Sequence, residues 1–314
     1  MPTITQLEYV IAVDRLKNFS RAAEECHVSQ PSLSAQIQKI EDELNLIIFD
    51  RSKKPVLTTP QGEVVVKRAK NVLAELRKLI DVASADTEPS GYFHVAIIPT
   101  VAPYLIPVFV EQFSKLFPKV NLKVSEQKTD DIIKNIYDDK IDAGILVTPL
   151  YNDKIVEKHL YYEDFYVFAS GGHKLLKNES IKDSDLDPES IWLLEEGHCL
   201  RDQVVKICAY SGRHNVLDNV NFASGSLETI INMVRKGRGY TLLPALALGS
   251  LTESERNNSV KKFSPPTPTR EVSVVHSKNF LKQNMIQGLI QSITETLPEN
   301  LTSDENKKKK VIDI

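Results

Sequence analysis

The chain of 314 residues is long enough for two or three domains, and its 41% hydrophobic and 26% charged residues are ordinary for a globular protein. A formal net charge of −3 excludes a molecule that is basic overall, so any nucleic-acid binding must come from local patches. No apolar run approaches the ~18 residues that span a bilayer. Three cysteines are too few for a disulfide scaffold.

The first residues carry neither the basic start nor the apolar run of a secretory signal. We therefore expect a cytoplasmic protein without membrane association. In a reducing cytosol, a pair of cysteines is more often redox-active or metal-binding than structural. Since no Cys/His cluster has the spacing of a zinc site, we expect no metal and no organic cofactor.

Helical periodicity predicts three helices near the start of the chain. The first is predicted over 5–16 with Thr5 as its N-cap, and the second over 21–26 with Ser20 as its N-cap. After a short turn, Pro31 suits the first turn of a third helix. Two short helices joined by a tight turn are typical of a helix-turn-helix. The apolar face of the third helix is formed by Leu33, Ile37, Ile40 and Leu44.

The opposite face of the third helix is polar. Ser and Gln side chains can hydrogen-bond to base edges, and a lysine can reach a phosphate. The stretch 49–58 is basic and predicts a wing that touches the DNA backbone, although such a loop taken alone is more often merely solvated. The predicted DNA-binding residues are Ser29, Gln30, Pro31, Ser32, Ser34, Gln36, Gln38, Lys39, Arg51, Lys53 and Lys54.

A long helix is predicted from Pro60, capped by Thr59, to about Asp86. Its apolar residues recur at alternating spacings of four and three, which is the seam of paired helices and predicts a dimer. The alternative is an amphipathic helix that packs on its own domain. The seam residues are Val65, Ala69, Val72, Leu76, Leu79 and Ala83.

The rest of the chain alternates strands with helices, which favours an α/β fold with a parallel sheet. The predicted strands are 92–98, 120–124, 143–147, 166–169, 191–194, 240–243 and 272–275. The predicted helices are 104–117, 129–139, 227–236 and 279–297.

These elements predict four parts of the chain. They are a winged helix-turn-helix at 1–58, a linker helix at 59–89, a two-lobed α/β domain at 90–300 and a disordered, lysine-rich tail at 301–314. The first lobe comprises 90–162 and 268–300, and the second lobe comprises 163–267. Two lobes joined by two crossings suit a ligand in the cleft between them.

Cys199 follows a strand-breaking Gly197 and can begin a helix. A cysteine at a helix N-terminus feels the positive end of the dipole, and His198 and Arg201 can add positive charge. All three effects favour the nucleophilic thiolate. A thiolate can attack peroxide to give a sulfenic acid, which a second thiol converts to a disulfide.

Cys208 is the candidate second thiol. On one continuous helix it would lie ~13 Å from Cys199 along the axis. A disulfide needs Cα atoms within about 7 Å, so its formation would require local unwinding. Cys208 could equally be an ordinary core residue, as is predicted for Cys26.

Several motifs of the N-terminal part resemble the head of LysR-type regulators. They are FSRAA at 19–23, VSQPSLS at 28–34, FDR at 49–51 and TPQG at 59–62. Gln38 departs from the pattern, because relatives often have Arg there. The resemblance implies a winged helix-turn-helix, a long linker helix and a periplasmic-binding-protein-like effector domain.

The run GHCLRDQ at 197–203, followed by Cys208, resembles the peroxide-sensing members of that family. The resemblance implies a peroxidatic Cys199 and a resolving Cys208. The peroxide pocket that it implies contains Thr100, Thr129, His198, Asp202 and Arg270, with Arg201 in support. Hydroxyls could hold peroxide, and Asp202 could accept a proton or orient Arg201. The alternatives are helix capping for Thr129 and a surface ion pair for Asp202.

The leading hypothesis is a regulator that binds double-stranded DNA, senses hydrogen peroxide, and works as a homodimer or homotetramer with RNA polymerase. One rival is a LysR-type regulator with a small-molecule effector in the cleft. A second is a thiol peroxidase or oxidoreductase, which the helix-turn-helix disfavours. A third is a solute-binding transport protein, which the expected lack of a signal peptide disfavours.

Overall fold

The structure is a computed structural model and describes residues 1–82, 89–208, 224–278, 280, 282–298, 301 and 309–313. The chain forms two units, Met1–Thr87 and Glu88–Ile314. Among the described residues, no helix is both long and apolar enough to cross a membrane.

The first unit contains four helices and a two-stranded wing. Its elements are α1 (Ile4–Leu16), α2 (Phe19–Glu25), α3 (Gln30–Leu44), β1 (Phe49–Asp50), β2 (Leu57–Thr58) and α4 (Pro60–Val82). Strands β1 and β2 pair antiparallel, which gives the predicted wing its hairpin. Val10 and Val13 of α1 pack with Leu33, Ile37 and Ile40 of α3 in one core.

The predicted N-caps of α1 and α2 are both wrong by two residues. Thr3 caps α1, because its hydroxyl accepts from the Gln6 amide while the Gln6 side chain accepts from the Thr3 amide. Asn18 caps α2 through a 3.1 Å hydrogen bond from the Arg21 amide. Thr5 and Ser20 therefore lie inside the helices that they were expected to begin.

The second unit is built around an eight-stranded sheet. Its strands are β3 (Gly91–Ile97), β4 (Val120–Glu126), β5 (Ala143–Thr148), β6 (Ile155–Ala169), β7 (Tyr240–Pro244), β8 (Val260–Lys262), β9 (Thr267–Ser277) and β10 (Lys309–Val311). Its helices are α5 (Ala102–Leu116), α6 (Thr129–Tyr137), α7 (Cys199–Ile207), α8 (Leu227–Arg235), α9 (Glu253–Asn258) and α10 (Gln283–Thr294). The order is β4-β3-β5-β9-β6-β7, with β10 beside β9 and β8 beside β6.

The sheet is mixed, not parallel as predicted. Strand β3 is parallel to β4 and β5, but β9 is antiparallel to both β5 and β6. The reason is that two long strands, β6 and β9, carry the chain out of the first lobe and back again. The predicted strand 191–194 is also wrong, since only Ile191 forms a bridge, to Tyr240.

Strand β6 joins two hydrophobic cores. Up to Asp164 it pairs with β9, and from Phe165 it pairs with β7. One core packs α5 and α10 against β3, β5 and β9, around residues such as Phe93, Phe109 and Leu289. The other core contains Phe165 and Trp192 together with the apolar face of α7. We use "first lobe" and "second lobe" for the parts around these two cores.

The predicted disordered tail contains a strand. Strand β10 pairs in parallel with β9, with Lys309 opposite Thr267 and Val311 opposite Thr269. Ile312 is buried in the second-lobe core. Local charge favoured a solvated tail, but backbone pairing and the burial of Ile312 hold residues 309–312 in place.

Gly62 allows the start of α4 to approach the wing. A Cβ atom on Gly62 would lie 2.2 Å from the carbonyl oxygen of Ile48. The Ile48 carbonyl also accepts the Thr59 amide at 2.9 Å, so the backbone there has little freedom to move. Close packing therefore requires glycine at this position.

We expect Gly62→Ala to destabilise the first unit by ~1–3 kcal/mol, because a backbone overlap cannot be relieved by rotating a side chain. Thermal unfolding followed by circular dichroism measures this. The matched control is Gln61→Ala, whose side chain is exposed and which we expect to stay within ~0.5 kcal/mol of wild type. Equal melting temperatures for the two variants would contradict the packing argument.

Candidate functional site

Cys199 lies where two helices begin. Gly197 adopts a left-handed φ of 85° and turns the chain into His198, the N-cap of α7, whose first residue is Cys199. The Cys199 Sγ is 3.0 Å from the hydroxyl oxygen of Thr129, the first residue of α6. Since α6 belongs to the first lobe and α7 to the second, this contact joins the lobes. Lys128, not Thr129, is the N-cap of α6, so the alternative role of Thr129 in capping this helix is wrong.

The expectation of a ready-made thiolate is not met. Burial raises the pKa of the Cys199 thiol, because only 8% of the residue is exposed and the charged form loses its hydration. The Thr129 hydrogen bond and the charge of Arg270 lower this pKa, whereas Asp202 raises it further. The favourable helix dipole could be predicted from the sequence, whereas the larger effect of burial could not.

His198 does not supply the expected positive charge. Burial, followed by the nearby Lys128 charge, lowers the pKa of His198, so its ring is neutral at pH 7. Its Nε2 lies 3.7 Å from a carboxylate oxygen of Glu195, which also accepts a 2.9 Å hydrogen bond from Lys128. Lys128 and Glu195 thus form a second link between the lobes, which the sequence analysis missed.

Arg201 is also engaged elsewhere. One of its guanidinium nitrogens donates to the Leu194 carbonyl at 2.9 Å, and another lies 3.9 Å from the Glu196 carboxylate. Asp202 is exposed to solvent. The suggestion that Asp202 orients Arg201 is therefore wrong, because the backbone of Leu194 does so.

The cation that acts on Cys199 is Arg270. Its guanidinium donates to the Thr100 hydroxyl at 3.2 Å and to the Thr100 carbonyl at 3.3 Å. On its other side it donates through Nε to Glu163 at 2.8 Å. The side chains of Arg270 and Glu163 are only 1% and 0% exposed to solvent. The structure thus brings Thr100 and Arg270, two residues of the predicted pocket, into contact.

Glu163 is a second residue that sequence reasoning missed. Its other carboxylate oxygen accepts the Leu246 amide at 2.7 Å, so both oxygens are occupied. A buried arginine is stable only beside a compensating carboxylate, and removing one partner of such a pair costs ~3–5 kcal/mol. The available signal was a glutamate at the first residue of the predicted second lobe.

Cys208 lies at the opposite end of α7, as its C-cap. Burial raises the pKa of its thiol to about 12, although a hydrogen bond with Tyr240 acts in the other direction. The amide of Cys208 still donates to the Val204 carbonyl, so the helical geometry reaches this residue. Nine residues at 1.5 Å each separate the two cysteines by ~13 Å along the axis. Cys26, Cys199 and Cys208 are all free thiols in this structure.

A second candidate site lies on the first unit, at the start of α3 and on the wing. Ser29 caps α3, and its hydroxyl accepts from the Ser32 amide at 3.3 Å. Besides Arg51, the predicted DNA-binding residues that are exposed here are Ser29, Gln30, Pro31, Ser32, Gln38, Lys39, Lys53 and Lys54.

Other predicted DNA contacts are committed within the unit. Arg51 donates to Glu41 at 2.7 Å and to Ser34 at 3.1 Å, and it lies over the Phe19 ring. The other oxygen of the buried Glu41 accepts the Ile48 and Phe49 amides. Arg51 therefore fastens β1 to α3 and neutralises Glu41, a tertiary role that its place in a basic loop could not reveal.

Two glutamines of α3 have partners as well. Gln36 accepts a 3.0 Å hydrogen bond from Gln6 of α1, and Gln38 donates to Asp42 at 2.9 Å. Gln36 is half-buried, so its first role is to hold α1 against α3. Gln38 remains exposed and would exchange Asp42 for a DNA group.

Helix α4 packs partly on its own unit. Val66 is buried in the first-unit core, Ala69 is buried as well, and Val65 is half-buried against the same core. Val72 is 50% exposed and is available for pairing. The side chain of Leu79 and the predicted end of the helix, with Ala83 and Asp86, lie outside the described residues.

No group of three or more His, Cys, Asp or Glu side chains suited to a metal ion occurs in the described part of the chain.

Two family models match the chain. Residues 4–63 match the bacterial regulatory helix-turn-helix protein, lysR family, and residues 86–298 match the LysR substrate binding domain. The hydrogen peroxide-inducible genes activator of Pectobacterium carotovorum is 34% identical over 95% of this chain and 96% of its own. The DNA-binding transcriptional dual regulator OxyR of Escherichia coli K12 is 35% identical over 92% of this chain and 94% of its own.

Solved structures agree. A full-length OxyR variant from Pseudomonas aeruginosa matches with a TM-score of 0.74 and 34% identity, over 95% of this chain and 99% of that one. A cysteine-to-serine variant of Corynebacterium glutamicum OxyR with hydrogen peroxide bound matches with a TM-score of 0.61 and 27% identity, over 94% and 92% of the chains.

The Thr129 hydroxyl gives a test of the thiol environment. A donor to a thiolate is worth ~1.5 kcal/mol or more, which is about a tenfold change in its population. We expect Thr129→Val to raise the pKa of Cys199, because the charged form loses its donor. The rate at which Cys199 is alkylated at pH 7 should then fall about tenfold.

The measurement is alkylation by iodoacetamide from pH 6 to 10, with peptide mass spectrometry at Cys199. The curve for Thr129→Val should lie at higher pH than that of wild type, and Thr129→Ser, which keeps the hydroxyl, should follow wild type. Identical curves for all three proteins would show that the Thr129 hydroxyl does not stabilise the thiolate.

Proposed function

Because the chain belongs to the LysR family of DNA-binding transcription regulators, we propose that its signal is hydrogen peroxide and its switch a reversible Cys199–Cys208 disulfide. The observation that carries the proposal is the placement of the two cysteines at opposite ends of α7, with Cys199 Sγ 3.0 Å from the Thr129 hydroxyl. The family regulates transcription and is not a family of enzymes. The similarity to a hydrogen peroxide-inducible genes activator and to an OxyR structure with hydrogen peroxide bound supports the choice of signal.

The first step is attack of the Cys199 thiolate on one oxygen of hydrogen peroxide. A sulfur–oxygen bond forms, the O–O bond breaks, and hydroxide leaves and takes the proton that Cys199 had released. The sulfur loses two electrons and peroxide is reduced. Thr129 donates to the thiolate, and the Arg270 charge favours both the thiolate and the departing hydroxide.

The raised pKa of Cys199 then has a functional meaning. A mostly protonated thiol reacts slowly with general oxidants and alkylating agents. Peroxide held by Thr100, Thr129 and Arg270 would gain from proximity, which a diffusing electrophile would not. In this proposal His198 lines the pocket as a neutral ring, and the exposed Asp202 is a proton acceptor at its edge.

The second step joins the cysteines. The Cys208 sulfur attacks the Cys199 sulfenic acid, the S–O bond breaks, and the released hydroxide combines with the Cys208 proton to form water. At ~13 Å along α7 this attack is impossible, since a disulfide needs Cα atoms within about 7 Å. Helix α7 must therefore unwind. Unwinding also takes Cys208 out of the environment that raises its pKa to about 12, which makes it a better nucleophile.

A small-molecule effector in place of peroxide is the second candidate. The observation that favours it is the burial of Cys199, which raises its pKa and slows its chemistry. In that case Thr100 and Arg270 would bind an anion or a hydroxyl of the effector, and the cysteines would have no role in the response.

DNA binding follows from the helix-turn-helix, and the finer assignments are part of the proposal. The exposed N-terminal end of α3 reads base edges in the major groove, and Lys53 and Lys54 contact phosphates. Helix α4 pairs two chains through its exposed apolar residues, so that a pseudo-palindromic site matches the dimer. A homotetramer, contact with RNA polymerase and a cytoplasmic location complete the proposal.

The peroxide response has a direct test. We expect one equivalent of hydrogen peroxide to give a Cys199–Cys208 linked peptide, which dithiothreitol reverses. Cys199→Ser should give no linked peptide, and Cys208→Ser should stop at a sulfenic acid that dimedone traps. Peptide mass spectrometry of the full chain reads all three results. A fully alkylatable Cys199 after peroxide treatment of wild type would overturn the sensor proposal and leave the small-molecule effector.

The wing gives a second test, by way of salt dependence. Lys53 is exposed, whereas Arg51 holds Glu41 and would confound binding with stability. We expect Lys53→Ala to weaken binding to all DNA sequences alike and to lower the slope of log K against log salt by about one. The control, Lys177→Ala, changes an exposed lysine of the other unit and should leave the slope unchanged. An unchanged slope for Lys53→Ala would contradict the proposed contact between Lys53 and a DNA phosphate.

A further inference from the structure

The C-terminal segment, defined here as residues 309–313, lies against the helix that carries the two cysteines. Gln203 of α7 is fully buried and donates to the Ile312 carbonyl at 2.7 Å. One turn later on the same helix, Lys206 donates to the Asp313 carbonyl at 3.0 Å. Both contacts come from the stretch between Cys199 and Cys208.

The other side of the segment is held by β9. Strand β10 pairs in parallel with residues 267–269, and the Ile312 amide donates to the Thr269 carbonyl at 2.8 Å. Lys310 adds an ion pair with Asp183 at 2.9 Å. Thr269 is the neighbour of Arg270 in the chain, so the segment joins the Arg270 strand to the cysteine helix.

The two faces of the segment differ. Ile312 is 6% exposed and belongs to the same core as Cys208, Ile207 and Val204. Val311 is 40% exposed. The segment is therefore a strand paired with β9, with one apolar anchor, Ile312, buried in the core that also contains Cys208.

We propose that the C-terminal segment is a latch that keeps α7 helical and Cys208 buried, and that Cys199–Cys208 pairing releases it. Its part in signalling rests on the proposed function, but the coupling itself needs only the two thiols. Gln203 and Lys206 can hold the Ile312 and Asp313 carbonyls only while α7 is helical. A disulfide requires this stretch to unwind, so docking of the segment and formation of the disulfide oppose each other.

Thermodynamic linkage makes the opposition reciprocal. If the segment stabilises helical α7, then removing it must favour the unwound state and expose Cys208 more often. If the disulfide holds α7 unwound, then it must loosen the segment. The two consequences are measured separately.

The first measurement is the alkylation rate of Cys208 in the reduced full chain, read by peptide mass spectrometry. A buried thiol reacts through local opening, so we expect Ile312→Asp to raise the rate at least about tenfold. The matched control is Val311→Asp, the same change at the preceding residue, which is 40% exposed, and it should leave the rate within about twofold. In a chain that ends at residue 308, Cys208 should be alkylated as fast as in Ile312→Asp. This shortened chain replaces Ile312→Asp in the test if that variant does not fold. Equal Cys208 rates in all of these proteins overturn the latch.

The second measurement is hydrogen exchange of the C-terminal peptide in the wild-type chain, reduced and disulfide-linked. The disulfide is made with diamide, an azo compound that takes two electrons and two protons from the thiols and becomes a hydrazine. Faster exchange of the Ile312 amide in the linked protein supports the latch, and equal exchange overturns it.

These results separate the latch from the peroxide proposal. If Cys208 is alkylated faster in Ile312→Asp, and peroxide forms no disulfide in the wild-type protein, the latch is supported and the proposal that peroxide is the signal is overturned. If peroxide forms the disulfide, but the Cys208 alkylation rates of all variants are equal and the Ile312 amide exchanges equally in both redox states, the peroxide signal is supported and the latch is overturned.

Discussion

Helix α7 holds Cys199 in its first turn and Cys208 just past its last, and a continuous helix keeps them ~13 Å apart along its axis. The other contacts described in the second unit act on the two ends of this helix or on the stretch between them. The lobes meet at Thr129 and Cys199, the second-lobe core surrounds Cys208, and residues 309–313 lie on the helix between them. A Cys199–Cys208 disulfide would require a different local fold, and the proposed switch rests on that second state of the helix.

The pKa of Cys199 results from opposing effects, of which burial is the largest. A helix N-terminus and a nearby arginine both favour the thiolate, yet removal from water outweighs them. The Arg270 guanidinium can be buried near Cys199 only because the equally buried Glu163 carboxylate neutralises its charge. The same balance recurs in the first unit, where Glu41 is buried because Arg51 and two backbone amides satisfy its oxygens.

Much of the molecule was predictable from local patterns. The three N-terminal helices, the wing and most strands and helices of the second unit were found by periodicity, and the family by its short motifs. The caps of α1 and α2 were misplaced, because Thr3 and Asn18 lie only two residues before Thr5 and Ser20, and only the hydrogen bonds of the cap side chains decide between them. The mixed sheet was missed because strand direction depends on where the chain returns, a long-range property.

The sequence by itself determined that this chain has a helix-turn-helix, a following wing, an α/β regulatory part and a cysteine at the start of a helix with another nine residues later. It could do so because periodicity, turn residues and short motifs act over a few neighbours. Tertiary structure alone decided that His198 is neutral, that Arg51 serves Glu41, that Arg270 stands beside Thr100 and that residues 309–313 lie on α7. Each of these depends on burial or on a partner far away in the chain, and neither is written in the local sequence.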